Sequence, residues 1–442
     1  MIKKIFFLFI ILFLVFSCKT KIETKVDKIE KKNIVIAQND VVVEKKIEIP
    51  PKEFFNLEID VINGKSDIII DSINKGQTPL KLELEKGLYD ITLSRKDYPD
   101  QICRVDLFSN KKVIFRHQKN NIPFKEIGIF SCGDQPKQVI FSPDDRYIYL
   151  PLLDDDGFQI FDMHTLAVTS FVKPPDPKYN KGFAEGLFIK EKNVFFVSQM
   201  NTGTVYEYNY PELNFIRSVS TEGKWSKYIA WSEKLQAVAV SNWASNDISI
   251  IDYQKGEVIK KVKTSQAPRG LAFSDDGNYL YILSFEGGKI LKVDTTKWKE
   301  VKSIYKRNAA MRHIVLTKDN TKAYVSNMYH NEIYEIDLDT FKIITTYKVF
   351  DNPNTIDITN DDRYLFVSSR GPNNSESYLE RSPVDGIITV IDLQKKEIIY
   401  KIRGGNQPTG LDISNDGNYL CFSNFRDKDI EIYWIGDLYG KK

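Results

Sequence analysis

The chain has 442 residues, 42% hydrophobic and 12% aromatic, which is enough for a large core and a second small domain. Its 62 basic and 60 acidic side chains leave a formal charge of +2. That balance excludes a surface given over as a whole to nucleic acid or anionic membrane and leaves room for a local patch. Four cysteines without a C-x-x-C spacing exclude zinc-finger and thioredoxin-type chemistry.

Lys3 and Lys4 precede an unbroken apolar run of twelve residues, 5–16. As a helix this run would span roughly 18 Å, short of the ~30 Å hydrocarbon core, so it reads as the core of a signal peptide over 1–17. The sequence Leu14-Val15-Phe16-Ser17-Cys18 then resembles a bacterial lipobox. The resemblance implies cleavage before Cys18, lipidation of that residue, and attachment to a bacterial membrane at the periplasmic face or cell surface. Residues 18–53 are rich in Lys and Glu and nearly free of aromatics, and are expected to form a flexible tether.

From 54 to 118 short runs alternate in hydrophobicity: Leu57, Ile59, Val61; Leu80, Leu82, Leu84; Ile91, Leu93; Val105, Leu107; Val113, Phe115. Asn63-Gly64, Lys75-Gly76 and Lys86-Gly87 punctuate them, and a small antiparallel β domain is expected. Gly76-Gln77-Thr78-Pro79, Gly87-Leu88-Tyr89 and Asp97-Tyr98 resemble the motifs of a PEGA domain, with Asp97 in place of a Gly. The resemblance implies an envelope-associated accessory module without catalysis.

The rest of the chain repeats itself. Phe141, Phe188, Trp231, Phe273, Leu316, Ile358 and Ile413 each close a short apolar strand before a polar turn such as Asp275-Asp276-Gly277-Asn278. A second strand ends on Ser-Asn (Ser241-Asn242, Ser326-Asn327, Ser423-Asn424) and a third on Asp162, Asn209, Asp252, Asp294, Asp337 or Asp392. A period of about forty residues filled with strand signals predicts one four-stranded propeller blade per copy. Too little chain follows Trp434 for a fourth strand in the last copy, so residues 124–130 are expected to complete it. The fold class is thus all-β: a seven-bladed β-propeller over 122–435 behind a small antiparallel β domain. Tyr324-Val325-Ser326-Asn327, Val390-Ile391-Asp392 and Pro408-Thr409-Gly410 resemble the YVTN-repeat, YncE-like propellers, which implies the fold and says little of activity.

Function in a propeller concentrates at the channel mouth. Four residues before each repeated anchor stand Lys137, Ala184, Lys227, Arg269, Arg312, Asn354 and Thr409, with Glu185, Tyr228 and His313 beside them. Loops after the second strands add Trp243, Phe285, Met328, Tyr329, His330, Arg370, Phe425 and Arg426. The candidate ligand-binding set is Lys137, Lys227, Arg269, Arg312, His313, Arg370 and Arg426. Cations mixed with aromatics suit an anionic ligand: a peptide terminus, a glycan or single-stranded nucleic acid. The sixth copy carries an extra segment, 370–386, that is a candidate binding loop.

The leading expectation is an envelope scaffold that binds a protein or glycan, with no cofactor, no metal and no catalytic residue. Nucleic acid is disfavoured by charge and export, and the oligomeric state is left open. Four His and no H-E-x-x-H, G-x-S-x-G or P-loop are present. The enzymatic alternative is a lactonase-like hydrolase, for whose channel metal Glu185, Asn242 and Asn327 are the residues on offer. Asp154-Asp155-Asp156-Gly157 starts like a calcium loop but has Thr165 where the closing Glu belongs.

Overall fold

A computed structural model describes residues 52–175 and 181–439, together with the backbone strands Ile34–Gln38 and Val41–Lys45. The segment expected to be a signal peptide and Cys18 lie outside the described residues. Within the segment expected to be a structureless tether, those two strands pair antiparallel, Ile34 opposite Lys45 and Gln38 opposite Val41. The average composition of 19–53 hides two β-branched runs, Ile34-Val35-Ile36 and Val41-Val42-Val43, and such runs favour strands.

From Glu53 onward the chain forms one compact unit. Phe54–Val61, Leu80–Glu85 and Lys111–Phe115 make a three-stranded sheet. Asp67–Ile70, Ile73–Gln77, Gly87–Ser94 and Gln101–Leu107 build a second sheet. Leu57, Ile59 and Val61 from one and Ile68, Ile91, Leu93 and Val105 from the other are buried together, as a period of two requires when one face is covered. The expectation of a purely antiparallel domain needs correction, because Phe54–Val61 runs parallel to Lys111–Phe115, with Leu57 opposite Lys111. Alternation fixes which side chains face inward; strand direction is set by the long crossover between the two strands, which carries the rest of the domain. Lys75-Gly76, read as a turn, lies in an edge strand instead.

Six four-stranded antiparallel sheets follow, over 140–172, 183–220, 226–263, 268–305, 311–348 and 353–403. A seventh set joins Pro408–Ile413, Tyr419–Asn424 and Asp429–Trp434 to Lys125–Ser131 from upstream, Ser131 opposite Asp429 and Lys125 opposite Trp434. These are sheets one to seven below. The repeated anchor ends the first strand in five of them; in sheets two and three the strand runs one residue further, to Ile189 and Ser232.

Each recurring polar residue has a mechanical role. After the anchor a hydroxyl donates to the Asp two places on, as from Ser142 to Asp144 (2.6 Å), Thr317 to Asp319 (2.7 Å) and Ser414 to Asp416 (2.6 Å). Asp252, Asp294, Asp337 and Asp392 each accept the amide three residues on, closing the turn into the outer strand. The Ser of Ser-Asn ties neighbouring sheets. Ser326 Oγ accepts the His313 amide (3.0 Å) and donates to the Asn354 carbonyl of the next sheet (2.7 Å). Ser198 bridges Glu185 and Lys227 in the same manner, at 3.2 and 2.6 Å. Sheet four has Leu283 at this position, and there the inner-strand residue is Gly270, whose added Cβ would meet the Leu283 side chain at 2.9 Å.

Inner strands touch in order around the channel, and that of sheet seven meets that of sheet one. Asp412 holds this seam by accepting the Phe141 amide (2.7 Å), and Asp357 of sheet six holds the adjoining one by accepting the Ile413 amide of sheet seven (2.9 Å). The two side chains also bond each other. Burial lifts Asp357 to about 6, and burial plus the neighbouring Asp357 lifts Asp412 well above the carboxylate range. The folded state therefore holds a proton that the unfolded chain releases near pH 4. The pair's contribution to stability is complete below that pH and is lost as pH rises through 6 and beyond. Asp412→Asn should flatten this slope and leave the variant at least as stable as the parent at pH 8, by about 1–2 kcal/mol; urea melts at pH 5 and pH 8 check it, and a parallel loss at both would refute it.

The second sheet of the N-terminal domain continues into sheet seven, Glu126 lying opposite Cys103 in a parallel pairing. The joint is polar and dry. Arg116 (4% exposed) donates from Nε to Glu431 (3.0 Å), while its amide and the Gln101 side chain bond Glu126 (2.9 and 2.5 Å). The Gln118 side chain donates to the Arg403 carbonyl and accepts the Arg403 amide (2.9 and 2.6 Å). These bonds position sheet seven, and through it the mouth.

Candidate functional site: a cationic channel mouth

Each inner strand begins at the mouth, and the serine bridges fix its first residues. Lys137, Lys227, Arg269 and Arg312 from the inner-strand starts and Arg370 from the end of the second strand of sheet six line one cavity of about 340 Å³, within the size range of small-ligand sites. Aromatic side chains form its upper wall. Trp243 packs on Phe285 (centroids 4.8 Å apart) and Phe285 on Tyr329 (5.5 Å). Lys227 Nζ lies 3.8 Å from the Trp243 ring centroid. Lys137 and Arg370 both stand 5.3 Å from that of Phe425.

The arginines are not a solvated rim, whereas Lys137 and Lys227 are half-buried. Arg269 is 2% exposed and Arg312 4%. Glu185, itself buried, is paired closely with Arg269 and lies 4.0 Å from Arg312. One carboxylate therefore serves two guanidinium groups, and Glu286 is the only acidic side chain among the described residues lining the cavity. Burial, then Arg269 and Arg312, push Lys227 well below the ordinary lysine range; burial, then Arg312, Arg370 and Arg269, do the same to Lys137. Burial and Arg269 bring Arg312 down to about 9, and burial brings Arg370 to about 10. Like charges held this close in a low dielectric oppose one another until a counter-charge arrives.

Hydrogen bonding tells the same story. Among the described residues, Nη1 of Arg269, Nη1 of Arg312, Nε of Arg370 and Oδ1 of Asn354 are buried and have no partner. Each such atom costs ~1–3 kcal/mol unless something outside the chain bonds it. All four belong to side chains lining the one cavity.

Two of the expected residues stand apart from the cavity wall. His313 lies behind it, its Nε2 3.1 Å from the Tyr228 hydroxyl, and burial together with Arg312 and Arg269 lowers it to about 3, so it is neutral in the working range. Arg426 sits 3.9 Å from Glu380 of the sheet-six insert. That insert folds against the rim. Gln407 donates to the Tyr378 and Glu380 carbonyls (3.2 and 2.7 Å) and also bonds Arg370, while Arg381 pairs with Asp427 (2.6 Å). Its Asn373 and Tyr378 enter the cavity wall. Sequence reasoning missed Trp225 and Glu286, which lie in loops whose side-chain direction no repeat spacing reveals.

The residues offered for a channel metal are each engaged with other side chains. Glu185 is engaged with Arg269; the Asn242 amide donates to Asp247 and Ser249 (both 2.8 Å), and that of Asn327 to Tyr334 (2.8 Å). Among the described residues no group of three or more His, Cys, Asp or Glu gathers. In the calcium-like segment, Asp154 pairs with Lys181 (2.6 Å) and Asp156 with Lys173 (2.7 Å).

Residues 119–411 match the family described as YNCE-like beta-propeller, and residues 54–120 match the PEGA domain. The chain belongs to the YNCE-like beta-propeller family. A relative of this YNCE-like propeller, Antigen Lp49 of Leptospira interrogans, is 35% identical over 371 residues, covering 82% of the chain and 79% of the relative. Two solved structures share its fold. A chain of Kuenenia stuttgartiensis hydrazine synthase aligns with a TM-score of 0.59 at 16% identity, over 68% of this chain and 96% of that one. One from a mitotic checkpoint complex aligns with 0.61 at 12%, over 71% and 94%. At such identities these two speak only for the fold.

Proposed function

We propose that this YNCE-like propeller is an extracytoplasmic binding protein whose channel mouth captures an anionic group of an envelope partner, protein or glycan. Cys18 would carry the lipid anchor, residues up to 53 would set the spacing from the membrane, and the PEGA-like module over 54–118 would brace a seven-bladed wheel over 122–435. The PEGA match and a relative named as an antigen support a location outside the cytoplasm. Incorporation of labelled palmitate that disappears in Cys18→Ser tests the anchor.

One observation carries the reading: two buried guanidinium groups, Arg269 and Arg312, share a single carboxylate and keep unpartnered Nη1 atoms at the same cavity. A bound anion supplies both the missing acceptors and the missing charge. Phosphate or citrate should therefore raise the melting temperature in a saturable way, since a ligand at a hundred times its Kd adds about 2.7 kcal/mol. Sodium chloride at equal ionic strength should add much less. An equal response to chloride, or none to either polyanion, rejects the anion reading.

A further inference from the structure

The mouth holds more than cations. Its wall includes Asn354, whose buried Oδ1 has no partner among the described residues and wants a donor, and the exposed carboxylate of Glu286. A ligand that is only an anion leaves Asn354 unserved and is repelled by Glu286. Three large aromatic side chains of the same wall stand open, Trp225 at 49%, Tyr329 at 58% and Tyr378 at 59% exposure. Open aromatic faces around a polar floor suit a flat, ring-shaped body that has an apolar face and polar edges.

We propose that the ligand is a carboxylate-bearing saccharide, a uronic-acid type unit of a glycan; this rests on the anion reading above. Its carboxylate meets Arg269 and Arg312. Its hydroxyls donate to Asn354 and Glu286, and its ring lies on the exposed aromatics. A cavity of about 340 Å³ sits near the lower end of the range for small-ligand sites, so one or two sugar rings are the expected occupant rather than a long chain. A DNA phosphodiester backbone has the charge but lacks the hydroxyl donors.

The test is calorimetric titration of the full exported chain with digalacturonate, the neutral galactobiose, inorganic phosphate and an acetylated peptide with a free C-terminal carboxylate. Digalacturonate should bind at least about tenfold tighter than the other three. Trp225→Ala and Tyr329→Ala should each weaken digalacturonate by roughly three- to tenfold and leave phosphate unchanged. Equal or tighter binding of phosphate or peptide, or indifference of both aromatic variants, overturns the saccharide assignment while the anion reading stands. If none of the three anions binds, both fall together.

Discussion

Arg116→Met should cost the folded chain about 3–5 kcal/mol, the loss expected when one member of a buried ion pair is removed. Arg116 lies between two buried carboxyls, Glu431 and Glu126, both 0% exposed. Burial and the neighbouring Glu431 already lift Glu126 well above the ordinary carboxyl value, and burial likewise raises Glu431. Burial works against the Arg116 charge, yet Glu431, with Tyr433, Asp429 and Glu126, holds it above the usual arginine value. Without the guanidinium, one acid loses its donor and the two repel. The defect should worsen as pH rises, because both acids bind protons in the folded state that the unfolded chain gives up at lower pH. Adding Glu431→Gln to Arg116→Met should restore part of the loss. Denaturant melts at pH 5 and pH 8 decide it; a cost under about 1 kcal/mol would mean the joint is held by packing alone. Damage should also reach sheet seven, since Lys125–Ser131 belongs to both parts, and faster proteolysis between 116 and 125 would report it.

The two mouth arginines should separate binding from folding. Arg312 has a distant acceptor in Glu185 and close like charges, so Arg312→Met relieves repulsion and should leave the unliganded melt unchanged or slightly higher. The same change removes a charge-assisted donor to the anion, worth about 1.5–3 kcal/mol, so affinity should fall roughly 10- to 150-fold. Arg269→Met differs: it strands Glu185, whose close partner is Arg269, and should lower stability as well as affinity. If both variants destabilise alike and bind anions like the parent, the arginines are structural props.

How much of this was legible in the sequence depends on what each residue does. The anchors and the Asp and Ser-Asn positions were readable because each repeats with fixed geometry: Asp337 closes a turn, and Ser326 bridges two sheets. The upstream strand expected over 124–130 is Lys125–Ser131, which pairs with Asp429–Trp434. Spacing from the anchor also put Lys137, Lys227, Arg269 and Arg312 at one level of the channel, and one cavity receives all four. Burial was not legible. Spacing places a Lys or Arg at the mouth but does not say how deeply it is covered, and only the side chains around Arg269 show it closed off from water. Strand direction in the N-terminal domain was hidden too, because Leu57 and Val113 alternate identically in parallel and antiparallel pairs. The hairpin of Ile34–Gln38 and Val41–Lys45 was masked by the charged residues around it.

Crystals soaked in selenate test the central claim most directly, since selenium can be located by anomalous scattering. An anomalous peak within hydrogen-bonding distance of Nη1 of both Arg269 and Arg312, absent in Arg312→Met, is the expected result. Selenate found only on exposed lysines, with the mouth empty, would contradict it.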